Sequence, residues 1–243
     1  MIQETVELSI TDSMDYKAMT CMDTRFCYRI SKAMDENWAL RAMDFIAYNG
    51  SLGREVTFTG DREDYIEAEK AYVGHSIDDP FLRPYEPTVL VHSTTPKGYT
   101  QILRDGVLLS WNRIQRKHGV SEPKPIGSLL GDPLDFSDYI MLSGFDSDAG
   151  FWNEIVVCSK EKGHICMDAD CEYAPGARFY FDTLALIKDG LFVRDGAHYK
   201  VKDELPLSYA LFCATPRNAA VAGKCTPRSF ARVADEAFLC FVT

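Results

Sequence analysis

The stretch VLVHSTTPKGYTQILRDGVLLS, residues 89–110, joins a strand-like apolar run to the start of a short helix. Three apolar residues precede His92, and three hydroxyl-bearing residues separate it from Pro96. Thr95 can cap a helix that has Pro96 in its first position and Gly106 as its end. A connection that served only as a turn would more often use Gly, Asn or Asp. We therefore expect His92 at the end of a buried strand, beside backbone amides that suit anions and hydroxyl-rich ligands.

The rest of the chain from residue 87 onward is predicted to be short strands separated by turns. The strand-like runs are TVLV, YIML, EIVVCS, ARFYFD, LFVR, HYKVK, YALFCAT and FLCFVT. Asp195-Gly196 predicts a tight turn between two of them. Only two short helices are expected, the one after Thr95 and one in TLALIKDG that ends at Gly190. Residues 87–243 should therefore form an α+β domain on a mostly antiparallel sheet.

Residues 1–86 are predicted to form an α-rich, N-terminal helical extension packed on the main domain. One helix is expected in SKAMDENWALRAMDFIAYNG, with Ser31 as a candidate cap and Asn49-Gly50 as its stop. A second, acidic helix is expected from about Arg62 to Val73, with Asp61 as its N-cap. The apolar positions at helical spacing in the first segment are Met34, Trp38, Ala42, Phe45 and Ile46.

Composition narrows the class of partner. The chain has 243 residues and a formal net charge of −10, which opposes extended, non-specific binding to nucleic acid and to anionic membranes. It has no apolar run of the roughly 18 residues that a membrane helix needs. The N-terminal sequence lacks the basic and apolar regions of a secretory signal, and several cysteines lie within apolar runs. These features favour a cytoplasmic setting with free thiols.

Positive charge is concentrated in one segment. Residues 1–86 contain 17 acids and 9 Lys or Arg, a net of −8, whereas residues 97–124 have six Lys or Arg against two acids, a net of +4. This basic segment directly follows the HSTT sequence. It is either a solvated charged loop or a binding surface for an anionic ligand, and the sequence leaves both open.

The order strand, HSTT, short helix and VLLS resembles the opening of the ADP-ribosyltransferase fold. The likeness is to the RNA 2′-phosphotransferases, the DNA-modifying ADP-ribosyl toxins and the poly(ADP-ribose) polymerases, in which the strand ends in His-Gly-Thr or His-x-Thr. Here the motif is His92-Ser93-Thr94, followed by ILRDGV at residues 102–107. Ser93 replaces the usual glycine, and Val107 replaces leucine. The resemblance covers about 20 residues and implies a split, mostly antiparallel sheet that binds NAD without a Rossmann fold.

The resemblance also implies a catalytic set of His92, Tyr139 and Glu154. In these families a later strand carries a tyrosine and another begins with a glutamate; DFSDYIML offers Tyr139 and GFWNEIVVCS offers Glu154. Cleavage of the nicotinamide–ribose bond passes through an oxocarbenium-like state that a carboxylate stabilises. Tyr139 would stack on nicotinamide, and His92 would hold the ribose or the amide. Taken alone, Tyr139 also fits a core aromatic, and Glu154 an exposed acid at a strand end.

The remaining ligand contacts follow from the same resemblance. Ser93 and Thr94 would join His92 in binding NAD, and the pyrophosphate would lie against Arg104, Arg113 and Arg116 of the basic segment. An RNA 2′-phosphotransferase would use the arginines to grip a 2′-phosphate. The acceptor of ADP-ribose is left open among a protein, a nucleotide and an RNA end.

Two alternatives remain at this stage. Cys158, His164, Cys166 and Cys171 lie within 14 residues, but their spacing matches none of the usual zinc patterns. We therefore expect separate buried thiols and no metal. The second alternative concerns the whole chain, which could be a non-catalytic domain that binds a small ligand or a partner protein. In the enzyme, His92, Tyr139 and Glu154 should converge on one cleft.

Overall fold

A computed structural model describes residues 5–14, 19–22, 25–119, 132–145 and 151–243. The chain divides into two compact units. The first comprises the described residues within Met1–Tyr85, Gly127–Phe136 and Val193–His198, and the second those within Glu86–Ile126, Ser137–Phe192 and Tyr199–Thr243. In the described part of the chain, no helix combines the length and the apolar character needed to cross a membrane.

The first unit contains a four-stranded sheet beside the two predicted helices. The strands are β1 (Val6–Thr11), β2 (Met19–Met22), β3 (Arg25–Ser31) and β4 (Val56–Thr59), in the order β2-β3-β1-β4. Strand β1 is parallel to β3 and to β4, and β2 is antiparallel to β3. The helices are α1 (Trp38–Ser51) and α2 (Arg62–Ala71).

The description of residues 1–86 as α-rich is therefore incomplete. The missed signal is the period-2 alternation of Val6, Leu8 and Ile10, all buried in β1. Ser31 ends a strand instead of capping a helix, because α1 begins seven residues later, with Asn37 before its first turn. The second helix was predicted correctly, and it ends at Ala71.

A buried ion pair lies in the core of the first unit. Arg83 and Asp44 are both fully buried, and the guanidinium Nε lies 3.1 Å from Asp44 Oδ2. The hydroxyls of Tyr72 and Tyr85 donate to the same carboxylate at 2.8 and 2.5 Å. The buried charges thus have the partners that burial requires.

The second unit is built on a mostly antiparallel sheet, as predicted. Its strands are β5 (Val89–Thr94), β7 (Tyr139–Gly144), β8 (Ala177–Asp182), β9 (Phe192–Arg194), β10 (Tyr199–Lys202) and β12 (Ala210–Ala214). Their order is β12-β8-β5-β7-β10-β9, and the boundary between the units falls within β9. A two-stranded sheet pairs β6 (Val107–Leu109) with β11 (Glu204–Pro206).

Five helices accompany these strands in the described residues. They are α3 (Pro96–Asp105), α4 (Trp111–His118), α5 (Trp152–Lys162), α6 (Thr183–Lys188) and α7 (Pro227–Val242), with short 3-10 turns at Leu134–Asp138 and Leu207–Tyr209. The helices α5 and α7 pack on each other, and α5 packs on β5. This confirms an α+β architecture.

Two predicted strands, EIVVCS and FLCFVT, are in fact helices α5 and α7. A short apolar run can form either a buried strand or part of a buried helix, and its composition alone does not distinguish the two. In α5, Ile155 and Val157 are buried, whereas Val156 is 48% exposed because it lies on the outer face. The start signal for α7 is the capping box of Thr226 and Ser229 around Pro227, which the strand interpretation overlooked.

The decisive helix after His92 forms as expected. Thr95 Oγ1 accepts a hydrogen bond from the Gly98 amide at 3.1 Å, Pro96 opens α3, and Gly106 ends it at φ 70°. Ile102 packs against the core cluster that contains Leu90 and Phe179, whereas Leu103 is 54% exposed. One face of α3 therefore holds it against the sheet.

Candidate functional site

The sheet of the second unit is open between β5 and β7. On one side, β5 pairs with β8 over six residues, from Val89 to Thr94. On the other side, its pairing with β7 comprises only Leu90 with Gly144 and Val91 with Ser143. The two strands therefore stop sharing a ladder at the residue that precedes His92.

Side chains form hydrogen bonds with the backbone carbonyls that flank this opening. His92 Nδ1 lies 3.0 Å from the carbonyl oxygen of Met141 in β7. Asn153 Nδ2, from the first turn of α5, donates to the carbonyl oxygen of Val91 at 3.3 Å. In a continuous sheet these two carbonyls would accept from backbone N–H groups of the neighbouring strand, whereas here both accept from side chains. We name this opening, bordered by Val91–His92 and Met141, the β5–β7 split.

The chemistry of His92 is set by its place in the split. Burial lowers the pKa of His92, and the hydrogen bond to Met141 opposes that shift only in part. The ring is therefore neutral at pH 7. Because a carbonyl can only accept, Nδ1 bears the proton and Nε2 is an acceptor. A neutral imidazole with a fixed tautomer can accept a hydrogen bond from a hydroxyl or an amide.

Thr94 lies against the first turn of α3. A Cβ at Gly98 would lie 2.2 Å from Thr94 Oγ1, and a Cβ at Gly176 would lie 2.2 Å from the Thr95 carbonyl carbon. Glycine at both positions lets the backbone pass close to the hydroxyl-rich segment. The side chain of Thr94 thus adjoins the amino end of a helix, where amides and helix dipole favour anions.

Glu154 lies in a helix, not at the start of a strand as predicted. It is the third residue of α5 and is fully buried. Ser93 Oγ and Tyr173 Oη donate to its two carboxylate oxygens, the latter at 2.5 Å. Arg178 Nη1 lies 3.4 Å from Glu154 Oε1.

A second acid completes this buried network. Arg178 Nε donates to Asp235 Oδ1 at 2.9 Å, and Tyr180 Oη donates to the same oxygen at 2.7 Å. Burial raises the pKa of Glu154, whereas Arg178 and the hydroxyl donors act in the opposite direction. The pKa of Asp235 is raised by burial as well. One guanidinium is therefore shared by two carboxylates in a water-poor environment.

The structure brings together Ser93 and Glu154 but separates Glu154 from His92. Side chains alternate along a strand, and Leu90 packs with Phe179 and Phe181 on one face of the sheet, whereas Val91 packs with Tyr180 on the other. Alternation therefore directs Ser93 to the face covered by α5 and His92 to the opposite face. Among the described residues, the contacts of Glu154 lead to this network and not to His92 or Tyr139.

Tyr139 is placed at the first position of β7, near the split. It is 8% exposed, and Lys200 Nζ lies 4.6 Å from the centroid of its ring. Lys200 is itself fully buried. The tyrosine is thus an enclosed aromatic. The polar composition of the run HYKVK did not indicate that Lys200 would be buried.

The predicted arginines lie on exposed helices and contact acids or amides. Arg104 contacts Gln101, Arg113 donates to Glu204, and Arg116 Nη2 lies 3.6 Å from Asp138. Acids that are distant in sequence therefore offset part of the local positive charge. Lys124, which contributes to the net of +4, lies outside the described residues.

Four residues of the buried network escaped prediction from the sequence. Arg178 and Tyr180 alternate within ARFYFD, where an arginine inside an apolar strand was the available signal for a buried ion pair. Tyr173 and Asp235 are distant in sequence and carry no comparable pattern.

Comparison of the chain with family models, with curated proteins and with solved structures gave no match.

Proposed function

We propose that this chain is an NAD-dependent transferase that moves ADP-ribose, or uses NAD to accept an RNA 2′-phosphate, through an oxocarbenium-like state. The observation that carries the proposal is the β5–β7 split, with the neutral, hydrogen-bonded His92 at its edge. A split beside a His-x-Thr strand end is what the resemblance to the ADP-ribosyltransferase fold implies. NAD is a substrate in this proposal, and the acceptor class stays open.

In this proposal His92 and Thr94 bind the nicotinamide ribose or the nicotinamide amide. His92 offers a ring acceptor whose orientation Met141 fixes, and Thr94 offers a hydroxyl beside the start of α3. A preoriented pair of this kind reduces the entropy lost on binding and aligns the scissile bond. Tyr139, predicted to stack on nicotinamide, opens β7, where alternation with Ile140 directs its side chain to the face opposite His92.

Glu154 is assigned a role consistent with its burial. Its carboxylate holds Ser93 and thereby fixes the end of β5, while Tyr173 and Arg178 hold the carboxylate. Direct stabilisation of the ribose cation, which the resemblance implies for this glutamate, requires the carboxylate to reach the ligand. The effect of Glu154→Gln on turnover, measured beside its effects on NAD affinity and stability, distinguishes these two roles.

The proposed setting is the reducing cytoplasm. The seven cysteines whose side chains the structure describes are free thiols. Free thiols persist where glutathione and thioredoxin keep them reduced.

A non-catalytic binding domain is the second candidate, and a specific observation favours it. Glu154 is fully buried in an ion-pair network, and Arg113 and Arg116 already contact acids. A domain that kept the split sheet for ligand binding alone would have no need of an accessible carboxylate. It would bind NAD or another small ligand without releasing nicotinamide.

Calorimetric titration with NAD tests the proposed site. We expect the wild type to bind NAD, and His92→Ala and Thr94→Val to weaken binding by about 2- to 10-fold for each hydrogen bond removed. Thr100→Val is the matched control, because Thr100 is an exposed threonine on the adjacent helix α3 and its replacement should leave affinity unchanged. Absence of binding at millimolar NAD, or equal affinities for Thr94→Val and Thr100→Val, would refute the site.

A further inference from the structure

Three cysteines that the sequence suggested were separate come together in the second unit. Cys158 lies on α5, and Cys166 and Cys171 lie in the segment that follows it. Their three sulfur atoms all lie within 4.8 Å of one another. In a tetrahedral zinc–thiolate site, Zn–S bonds of about 2.3 Å place the sulfurs about 3.8 Å apart. The cluster therefore needs only a small contraction to hold an ion.

The backbone holds these cysteines in place. Ser159, buried beside Cys158, accepts from the Cys166 amide at 2.9 Å and donates to the Cys166 carbonyl at 3.0 Å. The Cys171 amide donates to the Asp168 carbonyl at 3.3 Å. A loop fixed in this way to the helix carrying the first ligand is preorganised for metal binding.

A positive charge lies beside the cluster. Lys162, on the last turn of α5, interacts electrostatically with Cys171 and Cys158. Its charge would offset part of the negative charge of a thiolate site, and metal binding would displace the thiol protons.

We propose that Cys158, Cys166 and Cys171 bind a single thiophilic divalent cation, with zinc as the best fit. Three sulfur ligands favour zinc over the hard cations magnesium and calcium, and iron–sulfur clusters require four ligands. The fourth position is left for water or an exogenous ligand. His164 is not part of the cluster; it is exposed, and its Nδ1 lies 3.2 Å from the Lys162 carbonyl.

The ion would stabilise the network around Glu154. Cys158 lies one helical turn after Glu154, and Cys171 lies two residues before Tyr173, which donates to Glu154. The Tyr173 amide also donates to the Cys225 carbonyl at 2.9 Å. The ion would tie α5 to the loop that carries Tyr173, and this effect on the fold is independent of the proposed NAD chemistry.

Metal binding by the full chain is the direct test. The protein is reduced, freed of metal with a chelator, and titrated with Zn²⁺ against a chromophoric competitor; Co²⁺ then reports thiolate ligation by its sulfur-to-metal charge-transfer band. We expect one Zn²⁺ per chain, a Co²⁺ spectrum with thiolate bands, and a higher melting temperature with zinc.

Cysteine variants locate the ion. Cys166→Ser and Cys171→Ser should each weaken zinc binding by at least about 100-fold, because each removes one thiolate ligand. Both cysteines are only half-buried, so the fold should tolerate serine. Cys240→Ser, at an exposed position on α7, is the matched control and should bind zinc like the wild type. Circular dichroism confirms that each variant is folded.

Three results would overturn the site. The first is a reduced, folded wild type that binds no zinc. The second is an equal zinc affinity of Cys171→Ser and Cys240→Ser. The third is a disulfide among the three cysteines, with no metal binding after the disulfide is reduced. The last result would assign the cluster to thiol chemistry instead. Each of these outcomes is independent of whether the chain binds NAD.

Discussion

Replacement of Arg178 by methionine tests the buried network of the second unit. The side chains of Arg178 and Glu154 are 0% and 1% exposed, and that of Asp235 is 23% exposed. Methionine fills a similar volume but leaves two carboxylates without their cation. Removing one partner of a buried ion pair costs about 3–5 kcal/mol, and we expect a loss in that range at pH 7. For a chain of this size the loss corresponds to a drop of roughly 10 °C in melting temperature.

The pH dependence of this loss has a definite sign. Burial already raises the pKa of Glu154 and of Asp235, and removal of the guanidinium raises both further. A carboxyl whose folded pKa is raised favours the folded state at low pH, and this contribution is lost as the pH rises through the folded pKa. The destabilisation of Arg178→Met should therefore be smaller at pH 5 than at pH 7.

Urea unfolding followed by circular dichroism measures both effects. Arg232→Met is the control, because Arg232 forms an exposed pair with Glu236 on α7, and its loss should change stability by less than about 0.5 kcal/mol. Adding Glu154→Gln to Arg178→Met should recover part of the loss, since it removes one of the unpaired carboxylates. Equal stabilities of Arg178→Met and Arg232→Met, or a loss that grows toward pH 5, would refute the network.

Three further outcomes are expected. Thr95→Ala should lower the free energy of unfolding by about 1 kcal/mol, because it removes the side-chain cap of α3; a loss no larger than that of Thr100→Ala would contradict the cap. Asp44→Asn should cost about 2–4 kcal/mol in chemical denaturation, because Arg83 loses its fully buried carboxylate partner, and wild-type stability would contradict that pairing. The lowered pKa of His92 means that its contribution to stability is present above the ordinary value of 6.5 and is lost as the pH falls through its folded pKa. His92→Gln should therefore lose less stability than the wild type between pH 7 and pH 5, and identical pH profiles would show that His92 is not held neutral.

The segment from Val89 to Gly106 was predictable because every local signal agrees. Thr95, Pro96 and Gly106 each suit one position of a helix start or end, and the apolar run before them is too short for another helix. The neutral state of His92 was not predictable, because it depends on burial of the ring by the tertiary fold. Its tautomer depends on the Met141 carbonyl, which lies 49 residues away in the sequence.

The errors arise where a run of apolar residues was assigned without its caps. EIVVCS became α5 and FLCFVT became α7 because short apolar runs do not distinguish a strand from one face of a helix. The first error also misplaced Glu154, which was expected at a strand edge and lies buried in a helix. Its partners Tyr173 and Arg178 are brought to it only by the tertiary fold.

Release of nicotinamide from NAD tests the central claim most directly. The wild type, His92→Ala and Glu154→Gln are each incubated with NAD, alone and with a protein, a nucleotide or a 2′-phosphorylated RNA end as acceptor. We predict release by the wild type and its loss or strong reduction in His92→Ala. A fall of about 100- to 1000-fold in Glu154→Gln with unchanged NAD affinity and stability would place that carboxylate at the ribose, whereas near wild-type turnover would limit it to holding Ser93. A wild type that releases no nicotinamide with any acceptor, or a His92→Ala variant as active as the wild type, would contradict the account.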